Sequence, residues 1–346
     1  MSVDVQEDIF DVLPGEVHSV KGVMDELSRM WNVNVPDGEA SPVEFRASQM
    51  NLVLHFGLRT TREQALDAFN SAIGFAQRYP CRIVVLCPRG RELSDKLLEG
   101  KLFAQCYIGE TMRDMCCCEA LMLGYPTRVA GFLDNQVSIW LENDLPTYHW
   151  FFRIPAERVI NTHTDFIRRC RRIIFDSSLE DEDYLQIPWE RPEAVVDLAY
   201  ARLLPVRQSL GQFLSSFSPE RLLEGLERVE VKCSVHMRGE GRHLLNWLRN
   251  CLEDCAKRGG HALEVAFSQD SCCEVEDCSN CSGGHCLEAL WHYQEGSGKH
   301  FEWSLSGKQS DAHIDANFGR GGEIRFPMKV RLLSGEKALP EALFFA

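Results

Sequence analysis

The densest run of chemically capable side chains lies late in the chain. It comprises Cys272, Cys273, Cys278, Cys281 and Cys286, with His285 among them. Cys278-x-x-Cys281 has the two-residue gap that lets two thiolates grip one tetrahedral ion. Cys272 or Cys273 and Cys286 or His285 could supply the remaining ligands, and Gly283-Gly284 permits the tight turn. The second half is not another C-x-x-C pair, so the zinc signature is incomplete. No Lys or Arg occurs from Gly259 to Gly298, so no nearby cation lowers a thiol pKa by direct charge. Three readings stay open: a zinc site, a reversible redox loop, and a polar loop of free thiols.

Other cysteines are weaker candidates. Cys116-Cys117-Cys118 are adjacent, and adjacent side chains diverge on a strand or a helix. They read as small packed hydrophobes. Cys251 and Cys255 stand one helical turn apart, which suits two ligands or two core positions. A basic cluster, Arg168, Arg169, Arg171 and Arg172, precedes Ile173–Phe175, with Arg153 and Arg158 upstream. Such a cluster could hold a phosphate or an acidic partner, or balance the acidic run Glu180–Asp183.

Signatures of catalysis are absent. Gly319-Arg320-Gly321-Gly322 lies between late strands and lacks the helix a pyrophosphate site needs. Gly296-Ser297-Gly298-Lys299-His300 imitates the end of a P-loop. Tyr293 stands where its first glycine must be, and His300 replaces the Mg²⁺-binding hydroxyl. No G-x-S-x-G elbow and no H-E-x-x-H helix occurs.

Elements must position these groups. The chain has 346 residues, 45% of them hydrophobic, 15 cysteines and a net charge of −14. That length suggests two domains with full-sized cores. The acidic balance argues against nucleic acid and against an anionic membrane surface. The acidic start lacks a signal-peptide pattern, and no apolar run is long enough to span a bilayer. The expectation is a reduced, cytoplasmic protein.

Val12–Trp31 reads as one amphipathic helix and Pro36–Pro42 as a loop. Asn51–Phe56 reads as a strand, followed by a Thr61-capped helix with a face of Ala65, Phe69, Ala72, Ile73 and Ala76. Arg82–Cys87 is a continuous apolar run, as expected of a strand covered on both faces. Apolar runs at 102–108 and 115–123 follow. Further along come helices over 127–141 and 155–169, a strand over 147–152, and a last buried strand from Arg172. A helical pattern then runs from Val195 to Phe217, with Pro205 set to kink or divide it. After a strand at 229–235 and a helix over 241–257, short alternating segments occur at 262–267, 286–293, 300–305, 313–318 and 323–330.

The expected fold is an α/β layered N-terminal domain with a mostly parallel sheet, then an α+β C-terminal domain with an antiparallel meander. The expected division is 1–45 as a helical extension, 46–178 as the α/β domain, 179–225 as a linker with a kinked helix, and 226–346 as the C-terminal domain.

Several patches in order resemble the glucose-6-phosphate dehydrogenase assembly proteins, the OpcA family. They are Arg46 before Asn51-Leu52-Val53-Leu54; Pro80-Cys81-Arg82 entering the second strand; and Cys118-Glu119. Then come Asp144-Leu145-Pro146 followed by Tyr148, Trp150 and Phe151; Arg172-Ile173-Ile174-Phe175-Asp176-Ser177; and Asp197, Arg202 and Arg207 within one helix. Tyr200 and Val206 stand where the family usually has tryptophan, which marks a divergent member. The resemblance implies a non-enzymatic partner of glucose-6-phosphate dehydrogenase that favours its active oligomer. In photosynthetic relatives that effect is linked to thiol redox state, which would add a thiol oxidoreductase as a second partner. It also implies partner-binding or family-motif roles for Arg46, Asn51, Arg82, Glu119, Asp144, Pro146, Trp150, Arg172, Asp176, Asp197, Arg202 and Arg207. Two rivals remain: a sugar-phosphate- or nucleotide-binding enzyme or sensor acting near Asp176 and the arginines, and a zinc-stabilised interaction protein.

Overall fold

The computed structural model describes residues 8–31, 48–90, 98–107, 116–180, 184, 187–260, 262–271, 286–306, 311–319 and 321–345. They form two compact units. One holds the chain up to Phe175, Glu180–Leu198 and Gly335–Ala346; the other holds Asp176–Leu179 and Ala199–Ser334.

The first unit opens with α1 (Ile9–Val12), β1 (Glu16–His18) and α2 (Val20–Trp31). The single helix expected over Val12–Trp31 is therefore interrupted. Pro14 and Gly15 break it, and Gly15 has a φ of +130° with the Leu102 carbonyl 2.7 Å from where a Cβ would lie. Next come β2 (Met50–Phe56), α3 (Arg62–Ala76) and β3 (Cys81–Arg89). Every residue of β2 and β3 is buried, which is why Arg82–Cys87 reads as a continuous apolar run. Thr61 and Gln64 form a capping box at the start of α3, and the expected alanine and phenylalanine face is buried.

β4 (Glu99–Tyr107) and β5 (Cys116–Pro126) follow. The helix expected over 127–141 is instead a 3₁₀ segment, Thr127–Phe132, and a short α4 (Leu133–Ser138). Gly131 and the β-branched Thr127 and Val129 weaken its first half. After β6 (Thr147–Phe152), the helix expected over 155–169 divides at His163 into α5 (Ala156–Thr162) and α6 (Thr164–Arg169). His163 has φ −115° and ψ 25°, outside the helical range.

β7 (Arg172–Phe175) is not the last strand of this sheet. β8 (Val195–Asp197) pairs with it in parallel. The eight-stranded order is β1-β4-β5-β3-β2-β6-β7-β8. The six strands from β5 to β8 in that order are mutually parallel, while β4 and β1 add antiparallel pairings at one edge. Among the parallel strands, chain order runs β2-β3-β5 to one side and β6-β7-β8 to the other, so the topological switch lies between β2 and β6.

The second unit begins in α7 (Leu198–Arg202) and continues with α8 (Leu204–Leu214), which carries Pro205 in its first turn. Pro205 thus divides the helical run, as its missing N–H requires. Asp197 ends a strand rather than sharing a helix with Arg202 and Arg207. α9 (Pro219–Leu223), β9 (Leu226–Cys233) and α10 (Arg238–Gly259) follow. The remaining strands are β10 (Ala266–Ser271), β11 (Cys286–Tyr293), β12 (His300–Ser306), β13 (Asp311–Asn317) and β14 (Ile324–Lys329). Their order is β10-β9-β11-β12-β13-β14, with only β10–β9 parallel. β11 alternates strictly, burying Leu287, Ala289, Trp291 and Tyr293. α10 buries Leu244, Leu245, Leu248 and Leu252 in the same core and stops at left-handed Gly260.

The C-terminal stretch returns to the first unit as α11 (Gly335–Pro340) and a π-helical turn to Phe345. Gly335 approaches Ser71 of α3 so closely that a Cβ would collide with it. Phe344 lies among the rings of Phe75, Tyr79 and Tyr148.

Candidate functional site

The amino ends of four parallel strands carry one polar row. Thr147, Asn51, Arg82 and Glu119 stand in register across β6, β2, β3 and β5. Register neighbours on parallel strands share a face, so these side chains meet. Arg82 Nε donates to Glu119 Oε1 at 2.9 Å, and both residues are 3% exposed. Its Nη2 lies 2.6 Å from Glu142 Oε1, and its Nη1 donates to the Trp140 carbonyl at 3.0 Å. Asn51 Nδ2 donates to the carbonyls of Glu142 (3.0 Å) and Leu145 (3.3 Å), while Asn51 Oδ1 accepts the Glu142 N–H at 3.0 Å. The Asn51 N–H donates to the Pro146 carbonyl at 2.9 Å. Asn51, Arg82, Glu119 and Pro146 are thus brought together, and the arrangement pins the 140–147 loop to the sheet. Asp144 is exposed on that loop, and Trp150 is buried in β6.

A second cluster lies in the second unit. Arg202 makes a bidentate pair with Asp176, both contacts at 2.7 Å, and its Nε reaches Glu240 Oε1 at 2.6 Å. The Ser178 hydroxyl donates to the other oxygen of Glu240. The two carboxylates hold the Arg202 guanidinium firmly protonated, its pKa raised despite burial. Arg207 stacks 3.8 Å over the Tyr200 ring and donates to its hydroxyl at 2.6 Å. Asp197 is buried in the first unit, and Arg172 donates to the Glu193 carbonyl at 2.8 Å. Arg168 pairs with Glu190 and Arg169 with Asp134, so those two members of the basic cluster take separate acidic partners. Arg46 lies outside the described residues.

At the opposite end of the sheet, where the sequence offered a sugar-phosphate or nucleotide site near Asp176 and the arginines, the structure places a cavity elsewhere along the strand ends. A cavity of about 130 Å³ opens where β2, β3, β5 and β6 end, at the switch between β2 and β6. Gly57, Arg59, Tyr125, Arg153, Arg158 and His163 line it. A Cβ on Gly57 would collide with the Arg153 carbonyl, so glycine is required there. Arg153 has a φ of +55°, the left-handed region. Behind the cavity, Tyr125 Oη lies 2.8 Å from His55 Nε2, and His55 Nδ1 lies 3.3 Å from His149 Nε2. Burial first, then the neighbouring imidazoles, with Arg158 adding at His55, holds His55 and His149 well below the usual imidazole pKa. Burial, with Arg158 adding to it, lowers His163 to about 4. Burial also pushes the Tyr125 hydroxyl up. At neutral pH these four groups are uncharged and the arginines supply the charge. Arg153 and Arg158 were visible in the sequence, but nothing there linked them to Phe56-Gly57-Leu58-Arg59 after β2.

Among the described residues, no three His, Cys, Asp or Glu side chains could hold a metal ion. Cys272, Cys273, Cys278, Cys281 and His285 lie outside the described residues. Cys286 begins β11, its thiol 3.4 Å from Glu288 Oε1. Cys81, Cys87, Cys118, Cys170 and Cys233 are buried and in no disulfide among the described residues. No helix among the described residues is long and apolar enough to cross a membrane.

The family model described as the glucose-6-phosphate dehydrogenase subunit N-terminal domain, OpcA type, matches residues 72–187. Residues 72–187, about a third of the chain, are similar to this OpcA-type domain. The matched OpcA stretch includes Arg82, Glu119 and the 140–147 loop, together with Trp150, Arg172 and Asp176. No curated protein matches the sequence. Two solved structures resemble the chain at 9% identity. A glucose-6-phosphate 1-dehydrogenase from Mycobacterium avium aligns at TM-score 0.48 over 86% of this chain and 87% of its own. A super-repressor mutant of Gal80p from Saccharomyces cerevisiae aligns at TM-score 0.44 over 84% and 82%.

Proposed function

We propose that this protein binds glucose-6-phosphate dehydrogenase in the cytoplasm as a non-enzymatic assembly factor and favours its active oligomer. The observation that carries this reading is the OpcA-family match over residues 72–187, whose description names that dehydrogenase. A partner that binds the active assembly more tightly than the inactive one shifts the population by its differential affinity. No catalytic group of its own is required. A thiol-redox dependence, through an oxidoreductase acting on Cys272–Cys286, belongs to the same reading. The zinc alternative for that segment is separated from it by metal analysis of the purified chain.

The family-motif residues would act here mainly by shaping the domain. Asn51, Arg82 and Glu119 are buried and hold the loop that presents Asp144. Mixing the purified chain with glucose-6-phosphate dehydrogenase tests the proposal. Faster sedimentation of the dehydrogenase and a raised rate are expected. Unchanged sedimentation and rate, under both reducing and oxidising conditions, would overturn it.

A further inference from the structure

We propose that the cavity between the ends of β2 and β6 binds the phosphate group of a small phosphomonoester, held by Arg153 and Arg158 beside His163. This goes beyond the dehydrogenase reading and does not rest on it.

Four observations converge. The first is position. Open α/β sheets take their ligands outside the carboxyl ends of the strands at the topological switch, which is where this cavity lies. The second is charge. Arg59, Arg153 and Arg158 line the cavity, and among the described residues no carboxylate does. Glu180 stands beside it, its Oε1 accepting the Arg153 N–H at 2.7 Å, so it holds the Arg153 backbone in place. Guanidinium forks match phosphate oxygens with two parallel hydrogen bonds, which a point charge cannot do.

The third is an unsatisfied buried donor or acceptor. His163 is 3% exposed and lines the cavity, and its Nδ1 has no hydrogen-bond partner among the described residues. A buried polar atom left unpaired costs stability, and a ligand oxygen in the cavity would complete this one. Arg158 lines the same cavity as His163 and Tyr125. The fourth is backbone strain. A non-glycine residue at φ +55° is costly, and at Arg153 it is maintained where the side chain enters the cavity wall.

Size and local geometry select among anions. About 130 Å³ admits a phosphate group but is well short of the several hundred Å³ that larger ligands occupy. The turn after β2 has one glycine, Gly57, rather than a glycine-rich pyrophosphate loop. The first turn of α3 is already occupied, since Thr61 Oγ1 accepts the Gln64 N–H. The chemistry therefore favours arginine-held phosphate over helix-held pyrophosphate.

Isothermal titration of the full chain, without dehydrogenase, tests this. The probes are inorganic phosphate, glucose 6-phosphate and glucose. Heat is expected with both phosphates and none with glucose. A tighter constant for glucose 6-phosphate assigns the site to the ester; equal constants assign it to the phosphate group alone. Arg158→Gln should weaken binding about tenfold or more. Arg153→Gly should do the same while leaving the thermal midpoint unchanged or raised, because glycine accepts the left-handed conformation. Absence of heat with both phosphates overturns the proposal. So does binding that persists undiminished in Arg158→Gln and Arg153→Gly.

Discussion

Arg82 has two carboxylate partners, and its pairing with Glu119 is the one sealed from water. Their side chains are 3% and 4% exposed, whereas Glu142 is 43% exposed. Removing one member of a buried pair strands the other charge, which typically costs about 3–5 kcal/mol. Glu119→Ala should therefore lower the unfolding free energy by about 3 kcal/mol, the lower figure because Glu142 still offers Arg82 a carboxylate. Urea unfolding measures it. The double variant Arg82→Met, Glu119→Leu should recover most of that loss, since an apolar pair pays no desolvation penalty. A double variant no more stable than Glu119→Ala would show that the row is needed for the 140–147 loop and not for charge balance. Arg202→Lys tests the second unit in the same way. Lysine keeps the charge but loses the fork that bridges Asp176 and Glu240, and a loss of about 1–3 kcal/mol is expected.

At the scale of elements, burial of imidazoles in β2, β6 and the α5–α6 junction makes the first unit sensitive to acid. His55, His149 and His163 are held below the ordinary value of 6.5 in the folded state, His163 at about 4. The unfolded chain therefore takes up protons that the folded chain refuses. Stability is full above pH 6.5 and falls as pH drops from 6.5 toward 4. Each imidazole kept neutral adds a slope of about 1.4 kcal/mol per pH unit. His149→Gln should flatten the dependence of the thermal midpoint between pH 6.5 and 5. An equally steep profile in that variant would remove the histidines as its cause. These strands were legible in the sequence because both faces are covered, which leaves runs such as Ile83–Cys87 without alternation. The meander was legible for the opposite reason, as strict alternation in Leu287–Tyr293 marks a one-sided core. β8 was not, because three residues beside a helix-compatible pattern carry no period. Its short ladder is specified by β7 next to it. The histidine chain was equally hidden. His55, Tyr125 and His149 are 24 or more residues apart in sequence, and only the parallel register of β2, β5 and β6 brings them together.

At the scale of the molecule, thiol chemistry is distributed unevenly, and that sets what a redox response can use. The thiolate is the reactive form, and burial opposes it. Burial pushes Cys87 far up and Cys170 to about 12, and it raises Cys251, with the charges of Cys255 and Asp254 adding to the effect. No disulfide occurs among the described residues, and burial keeps Cys87 and Cys170 from exchanging with an oxidoreductase, whereas Cys251 is half-exposed. On the proposed redox reading, the Cys272–Cys286 segment and the half-exposed Cys251–Cys255 pair of α10 are the thiols to test first. Replacing Cys272, Cys273, Cys278 and Cys281 with serine should leave activation under reducing conditions intact. It should also erase the difference between reduced and oxidised samples. Parallel sedimentation and rate measurements on wild type and the fourfold variant read both outcomes. A redox difference that survives the four replacements would assign the response to the dehydrogenase or to another thiol. Loss of activation even in reducing buffer, accompanied by release of bound zinc from the wild-type chain on chelation, would make the same segment a structural metal site. In that case Cys286, fixed at the start of β11, is the described residue from which the remaining ligands would be traced.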